Sequence, residues 1–169
     1  MDNNQDKNVQ IQSEATEQIQ PKQTMKWHKF LIFFSLWVSA AVNAFNAVQL
    51  FTGMHYGSAQ DARMIYLYFD GLKALDMGIA VVYIGIAVYT IIARFALAQY
   101  RADGPKKLTN VYALNMLASI AYPLLIVLVT GLEYSEVMDS STVRSLIISA
   151  GMISYNKKYY KEREYLFVN

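Results

Sequence analysis

FLIFFSLWVSAAVNAFNAVQLF, residues 30–51, decides the fold class: it is a run of 22 residues without a charge. At about 1.5 Å rise per residue, a helix of that length covers the ~30 Å hydrocarbon core of a bilayer. A basic collar, Met25-Lys-Trp-His-Lys, leads into it. Taken alone, MKWHKFLIFFSLWVSAAVNA has the outline of a signal peptide, with small residues at Ala40–Ala44. The apolar run continues past those residues to Phe51, however, and a long polar tail precedes the collar. The stretch therefore reads as an uncleaved anchor; cleavage would leave a mature N-terminus near positions 41–45.

Three more apolar stretches follow, so the chain reads as an all-α membrane protein: a four-helix transmembrane bundle with spans at about 30–52, 71–95, 109–130 and 141–157. Gly53, Gly57, Ser58 and Asp61 break the first helix. Met64–Phe69 is too short to span and reads as an interfacial lead-in to the second. Asp103-Gly104-Pro105 reads as a stop, with the third helix capped at Thr109 or Asn110 and Pro123 kinking its middle. The fourth offers only LIISAGMIS as uncharged core and spans only if Arg144 and Lys157 snorkel to opposite interfaces. Residues 1–24 are rich in Gln, Asn and charge, too polar to offset their ordering entropy, and are expected to form a disordered cytoplasmic tail; residues 25–169 form the membrane domain.

Charge sets the expected orientation. Lys7, Lys22, Lys26, Lys29, Arg94, Arg101, Lys106, Lys107, Lys157, Lys158, Lys161 and Arg163 fall on one side of a four-span threading, against Arg63, Lys73 and Arg144 on the other. The positive-inside rule then places both termini in the cytoplasm of a multi-pass cell-membrane protein. Tyr159 and Tyr160 are expected near the inner interface, and Tyr56 and Tyr66 near the outer one.

Several function classes drop away. With 15 basic against 13 acidic residues there is no basic stripe for nucleic acid. There is no cysteine, and His28 and His55 fall on opposite sides, so no thiolate site, histidine metal site or catalytic triad can be assembled. No cofactor and no enzymatic activity are expected.

Each span has a polar or small stripe: Asn43, Asn46 and Gln49 on the first; Gly78, Tyr83, Gly85 and Tyr89 on the second; Asn115, Ser119 and Tyr122 on the third; Ser141, Ser145 and Ser149 on the fourth. Helices in lipid associate by close packing and interhelical hydrogen bonds, so these stripes are expected to face one another. The one charged constellation is Asp70, Lys73 and Asp76. A carboxylate inside the hydrocarbon boundary is costly, so Asp76 is expected to pair with Lys73 or with Asn43, Asn46 or Gln49. These six residues are the candidate intramembrane polar site.

The C-terminal segment, through Asn156, Tyr159, Tyr160, Lys161, Arg163, Leu166 and Phe167, resembles the endings of small multi-pass proteins of clostridial-type Gram-positive bacteria. Glu162 departs from that pattern, and the Cys-rich zinc ribbon that many of them carry is missing. The resemblance implies a topology and a bacterial origin, not an activity. The expected function is therefore non-enzymatic association, with the lipid bilayer as environment and a second copy or another membrane protein as partner. A small transporter or channel component, and a membrane-disrupting effector or its immunity partner, are the alternatives. A reporter fused after Asn169 is expected to read as cytoplasmic, and an external signal would overturn the threading.

Overall fold

The structure, a computed structural model, describes residues 24–138 and 140–169. The tail expected over 1–24 lies outside the described residues apart from Thr24, as do Asp139 and the side chain of Ser141. Among the described residues the fold is entirely helical: α1 (Lys26–Thr52, with a π-helical turn at Leu31–Ser35), α2 (Ala59–Tyr68), α3 (Leu72–Ala98), α4 (Gly104–Thr130), the single turn α5 (Tyr134–Val137) and α6 (Ser140–Lys161). Short 3-10 turns lie at Met54–Tyr56 and Glu164–Leu166.

Three helices, α1, α3 and α4, are each 27 residues long and apolar enough to cross a membrane. Helix α6 has 22 residues, but Arg144, Lys157 and Lys158 interrupt it and it is not among them. Packing is sequential: α1 lies along α3, α3 along α4, and α4 along α6. These neighbours run antiparallel: the end of α3 meets the start of α1 through Arg94 and Ile32, and its start meets the end half of α4 through Asp76 and Tyr122.

Two expected boundaries move. Gly104-Pro105 opens α4 instead of stopping a helix, more than a turn before the expected cap at Thr109 or Asn110. Proline fits a helix's first turn, where its missing N–H has no intrahelical partner to lose. Gly104 is required there by close approach, since a Cβ on it would lie 3.2 Å from the backbone of Ala96 and Leu97. Pro123, expected to kink this helix, is buried within it and does not end it. The lead-in before the second span is a helix in its own right: Ser58 caps α2 through a capping box, its Oγ accepting from the Asp61 amide while the Asp61 carboxylate accepts from Ser58 N–H at 2.9 Å. Those hydrogen bonds from Ser58 also hold the Asp61 carboxyl below the usual carboxylate range. Gly53 closes α1 in the left-handed region (φ 74°), and a Cβ there would meet the Ala62 methyl of α2 at 2.8 Å.

The two ends of the bundle are built differently. At the end rich in lysine and arginine, Leu31, Ile32, Leu36, Leu97, Leu108, Tyr159, Tyr160 and Phe167 form a buried cluster. Fully buried His28 sits in it, its Nδ1 3.0 Å from the Tyr160 hydroxyl and its ring 5.1 Å from that of Tyr100. Trp27 Nε1 donates to Asn156 Oδ1 at 2.9 Å, tying the start of α1 to the end of α6. Tyr159 and Tyr160, expected at the lipid interface, are instead buried in protein because their hydroxyls meet His28. Tyr100 ends α3 with a positive φ of 53°, a conformation that costs a bulky residue of order 1–2 kcal/mol. Its ring stacks between His28 and Phe167, and its carbonyl receives the Asn169 amide, which holds it in place. Lower in the same half, Arg94 of α3 donates to the Ile32 carbonyl within the π turn at 3.1 Å and lies over the Trp37 ring. Arg94 lies within α3, inside the expected second span.

Candidate functional site

At the opposite end, Asp76 is completely buried near the start of α3. Its partners are not those expected. Tyr66 of α2 donates to Oδ2 at 2.9 Å, and Tyr122 of α4 donates to Oδ1 at 2.8 Å. His55, in the turn after α1, places Nε2 3.4 Å from Oδ2. Lys73 and Asp70 are exposed and line a separate hollow with Arg63 and Met77. The expected charged constellation is therefore divided, with one carboxylate turned inward and the other two charges left outside.

The amides do not bind Asp76 either. Asn43 is buried, but its Nδ2 donates to the Ser39 carbonyl one turn back at 2.9 Å. Asn115, Ser119 and Thr90 likewise donate to the carbonyl four residues earlier. Asn43, Asn115 and Ser119 of the expected stripes thus turn back to their own helices, because such a bond satisfies a polar group without needing a neighbour in register. Gly78 and Gly85, expected to face the bundle, lie on the outer surface of α3. Asn46 and Gln49 line a cavity of about 200 Å³ with His55, Tyr83 and Tyr122, on the side of the cluster away from Lys73.

Hydrogen-bond inventory defines the state of the cluster. His55 Nδ1 faces the Gln49 carbonyl at 3.1 Å, which can only accept. Its Nε2 faces Asp76 Oδ2 and, at 3.2 Å, the oxygen of Tyr122, whose proton goes to Asp76. His55 thus bridges the Gln49 carbonyl on one side and the Asp76–Tyr122 pair on the other. The Tyr56 hydroxyl is buried alongside, close to Asp76 and Tyr122. Its ring stacks on His55 (3.8 Å) and meets Tyr66 edge-on (5.6 Å).

Chemically the cluster is an anchor. Tyrosines donate to the carboxylate and histidine pairs with it, and Ser58, the nearest capping hydroxyl, is engaged with Asp61. Among the described residues no three His, Cys, Asp or Glu side chains converge on a metal position. What the cluster does is tie three separate elements, the 53–58 turn, α2 and α4, to α3. His55, Tyr66 and Tyr122 were not expected as partners of Asp76. The signal available was the Ser58-x-x-Asp61 cap, which defines α2 and sets Tyr66 on its inner face. The chain matches no protein-family model, no curated protein and no solved structure.

Asp76→Asn replaces one acceptor with a donor that clashes with a tyrosine O–H or with His55. It is expected to lower stability by about 1–3 kcal/mol, seen as a lower Tm in detergent. An unchanged Tm would show that the carboxylate holds nothing together. Alkaline pH tests the tyrosines. Burial, reinforced by the Asp76 carboxylate, raises both Tyr56 and Tyr66 above the ordinary phenol value of 10.0. The folded state then keeps these protons when the unfolded chain has lost them, so stability is intact below about pH 10 and declines as pH rises beyond it. Denaturation midpoints followed from about pH 8 to pH 11 are expected to fall less steeply in Tyr66→Phe than in the parent chain; parallel curves would contradict this.

Proposed function

We propose that the chain is a multi-pass protein of a bacterial cell membrane, with four spans and both termini in the cytoplasm, that acts without catalysis by associating with a second copy or with another membrane protein. Support for α6 as the fourth span is that Val143, Ile147 and Ile148 point outward, as lipid-facing side chains do, and that 22 residues cover about 33 Å. Its charges sit near its two ends, where their stems can snorkel.

The observation that carries the association reading is a face of α3. Ala74, Gly78, Val81, Gly85, Val88 and Ile92 recur at helical spacing, and all are exposed. A Cβ added to Gly78 or Gly85 meets nothing within 4 Å. Glycine inside a helix costs roughly 1 kcal/mol relative to alanine, and close approach of another backbone is the usual compensation in lipid. Gly104 has that compensation within the chain; Gly78 and Gly85 do not. The transporter alternative draws no support from Asp76, whose oxygens are already engaged by Tyr66, Tyr122 and His55.

Gly78→Ile with Gly85→Ile fills this face without touching the interior. The double variant is expected to keep its helix content by circular dichroism. It should lose at least about tenfold in self-association, or in partner capture, measured by energy transfer between labelled copies in bilayers and by cross-linking in native membranes. A parent chain that is monomeric and partnerless in both assays, or a variant that associates equally well, rejects the reading.

A further inference from the structure

We infer that the lysine-rich end holds a binding site for one anionic phospholipid, seated between the start of α4 and the end of α6. A cavity of about 540 Å³ opens there. Lys106 comes to its wall from α4, and Lys157 and Lys161 come from α6, where a spacing of four places them on one side of the helix. Among the described residues none of these three ammonium groups is in an ion pair, whereas Lys107 close by is bound to Asp103, and Arg163 to Glu162. Glu164 is the single carboxylate on the wall. Three cations facing one anion leave the hollow positive. Pro105 and Lys106 lie in the first turn of α4, so the positive end of that helix's dipole adds to the field.

The floor is rigid. Asn156 and Tyr160 are buried, and both are held from behind, Asn156 by Trp27 and Tyr160 by His28. What favours a lipid over a free anion is a separate apolar hollow beside the cavity. Asn110 lines the cavity and also lines this second hollow of about 200 Å³, bounded by Tyr89, Ala113 and Leu114 one turn further along α4. That second hollow is apolar apart from the Asn110–Tyr89 contact and lies on the flank of a helix apolar enough to span a membrane. A phosphodiester among the lysines and the first part of an acyl chain beside Ala113 and Leu114 use both spaces; inorganic phosphate uses only one. Basic pockets between helices at the cytoplasmic side suit such headgroups.

The inference rests on the membrane reading and is tested separately from it. The full chain, purified in neutral detergent, is titrated with phosphatidylglycerol, phosphatidylcholine or inorganic phosphate, and bound ligand is counted by native mass spectrometry. Phosphatidylglycerol is expected to bind at least about tenfold more tightly than phosphatidylcholine and to be poorly displaced by phosphate. Lys106→Gln, Lys157→Gln and Lys161→Gln combined should weaken it about 100-fold. Lys26→Gln with Lys158→Gln, at the same end but outside the cavity, should change it little. Equal binding of the two lipids, equal loss in both variants, or displacement by phosphate alone overturns the site. Failure of the chain to fractionate with membranes overturns the membrane reading instead.

Discussion

A carboxylate with no water around it must be supplied with donors, and Asp76 sets this demand at the place where α3 enters the bundle. Leaving such a group unsatisfied costs several kcal/mol. No lysine answers the demand, because Lys73, one turn away, is outside. Three other parts of the chain answer it. Tyr122 brings α4, Tyr66 brings α2, and His55 brings the turn after α1. Each is a ring whose apolar body packs while its polar tip reaches the carboxylate, so one charge converts loosely connected segments into a single end-piece. The 53–70 region has little apolar area of its own turned inward: Met64, Leu67 and Tyr68 are among its most exposed side chains. Its position therefore depends on these polar contacts and on the Gly53–Ala62 approach far more than on hydrophobic burial.

The opposite end solves the same closure problem without a buried acid. His28 is enclosed by Tyr100, Tyr160 and Phe167, and three of the charged or amide side chains nearby, Asn156, Arg163 and Asn169, bond to backbone carbonyls. Arg163 also lies 3.9 Å over the Tyr159 ring. The last residues complete the end by returning to the α3–α4 turn, where Ala102 N–H donates to the Asn169 carbonyl at 2.9 Å. The segment on which the clostridial resemblance rests thus supplies this end with its buried aromatic residues. In this chain Asn156, Tyr159, Tyr160, Arg163 and Phe167 each have a packing role there.

Three long apolar helices were legible in the sequence because a long uncharged run has few alternatives. Residues 30–52 and 71–95 were placed to within a turn of α1 and α3. What stayed hidden was pairing. Asp76, Lys73 and the outer amides share a stretch of sequence and a depth, which made them natural partners, yet helix rotation sends Lys73 to solvent, while Asn43 bonds to Ser39. Composition cannot say whether an asparagine will reach across to a neighbour or back to its own helix, since both bonds are chemically alike and only the rotation of the helix separates them. The same holds for Gly104-Pro105, which carries the residues of a stop and those of a helix's first turn at once. The π turn at Leu31–Ser35, inside the most apolar stretch, had no signal at all; it is visible only through Arg94, which donates to the Ile32 carbonyl from another helix.

These internal solutions constrain what the protein can offer to anything outside it. Asp76, His55 and the span hydroxyls and amides that are buried are largely occupied by intramolecular bonds. A chain that spends its interior polarity on holding itself together has its remaining chemistry on its surfaces. Two surfaces stand apart from plain lipid-facing helix. One is the smooth α3 face with Gly78 and Gly85, shaped for a backbone. The other is the lysine-lined hollow between α4 and α6, shaped for an anion with a tail. They lie on different helices, and the second sits where a headgroup would be found if the first lies in the hydrocarbon. A lipid bound at α4 and α6 would brace α6, which packs along α4 and reaches α1 through Trp27, His28 and the aromatic cluster around them. Bracing α6 against α4 leaves the α3 face free, so lipid occupancy and association on α3 need not compete.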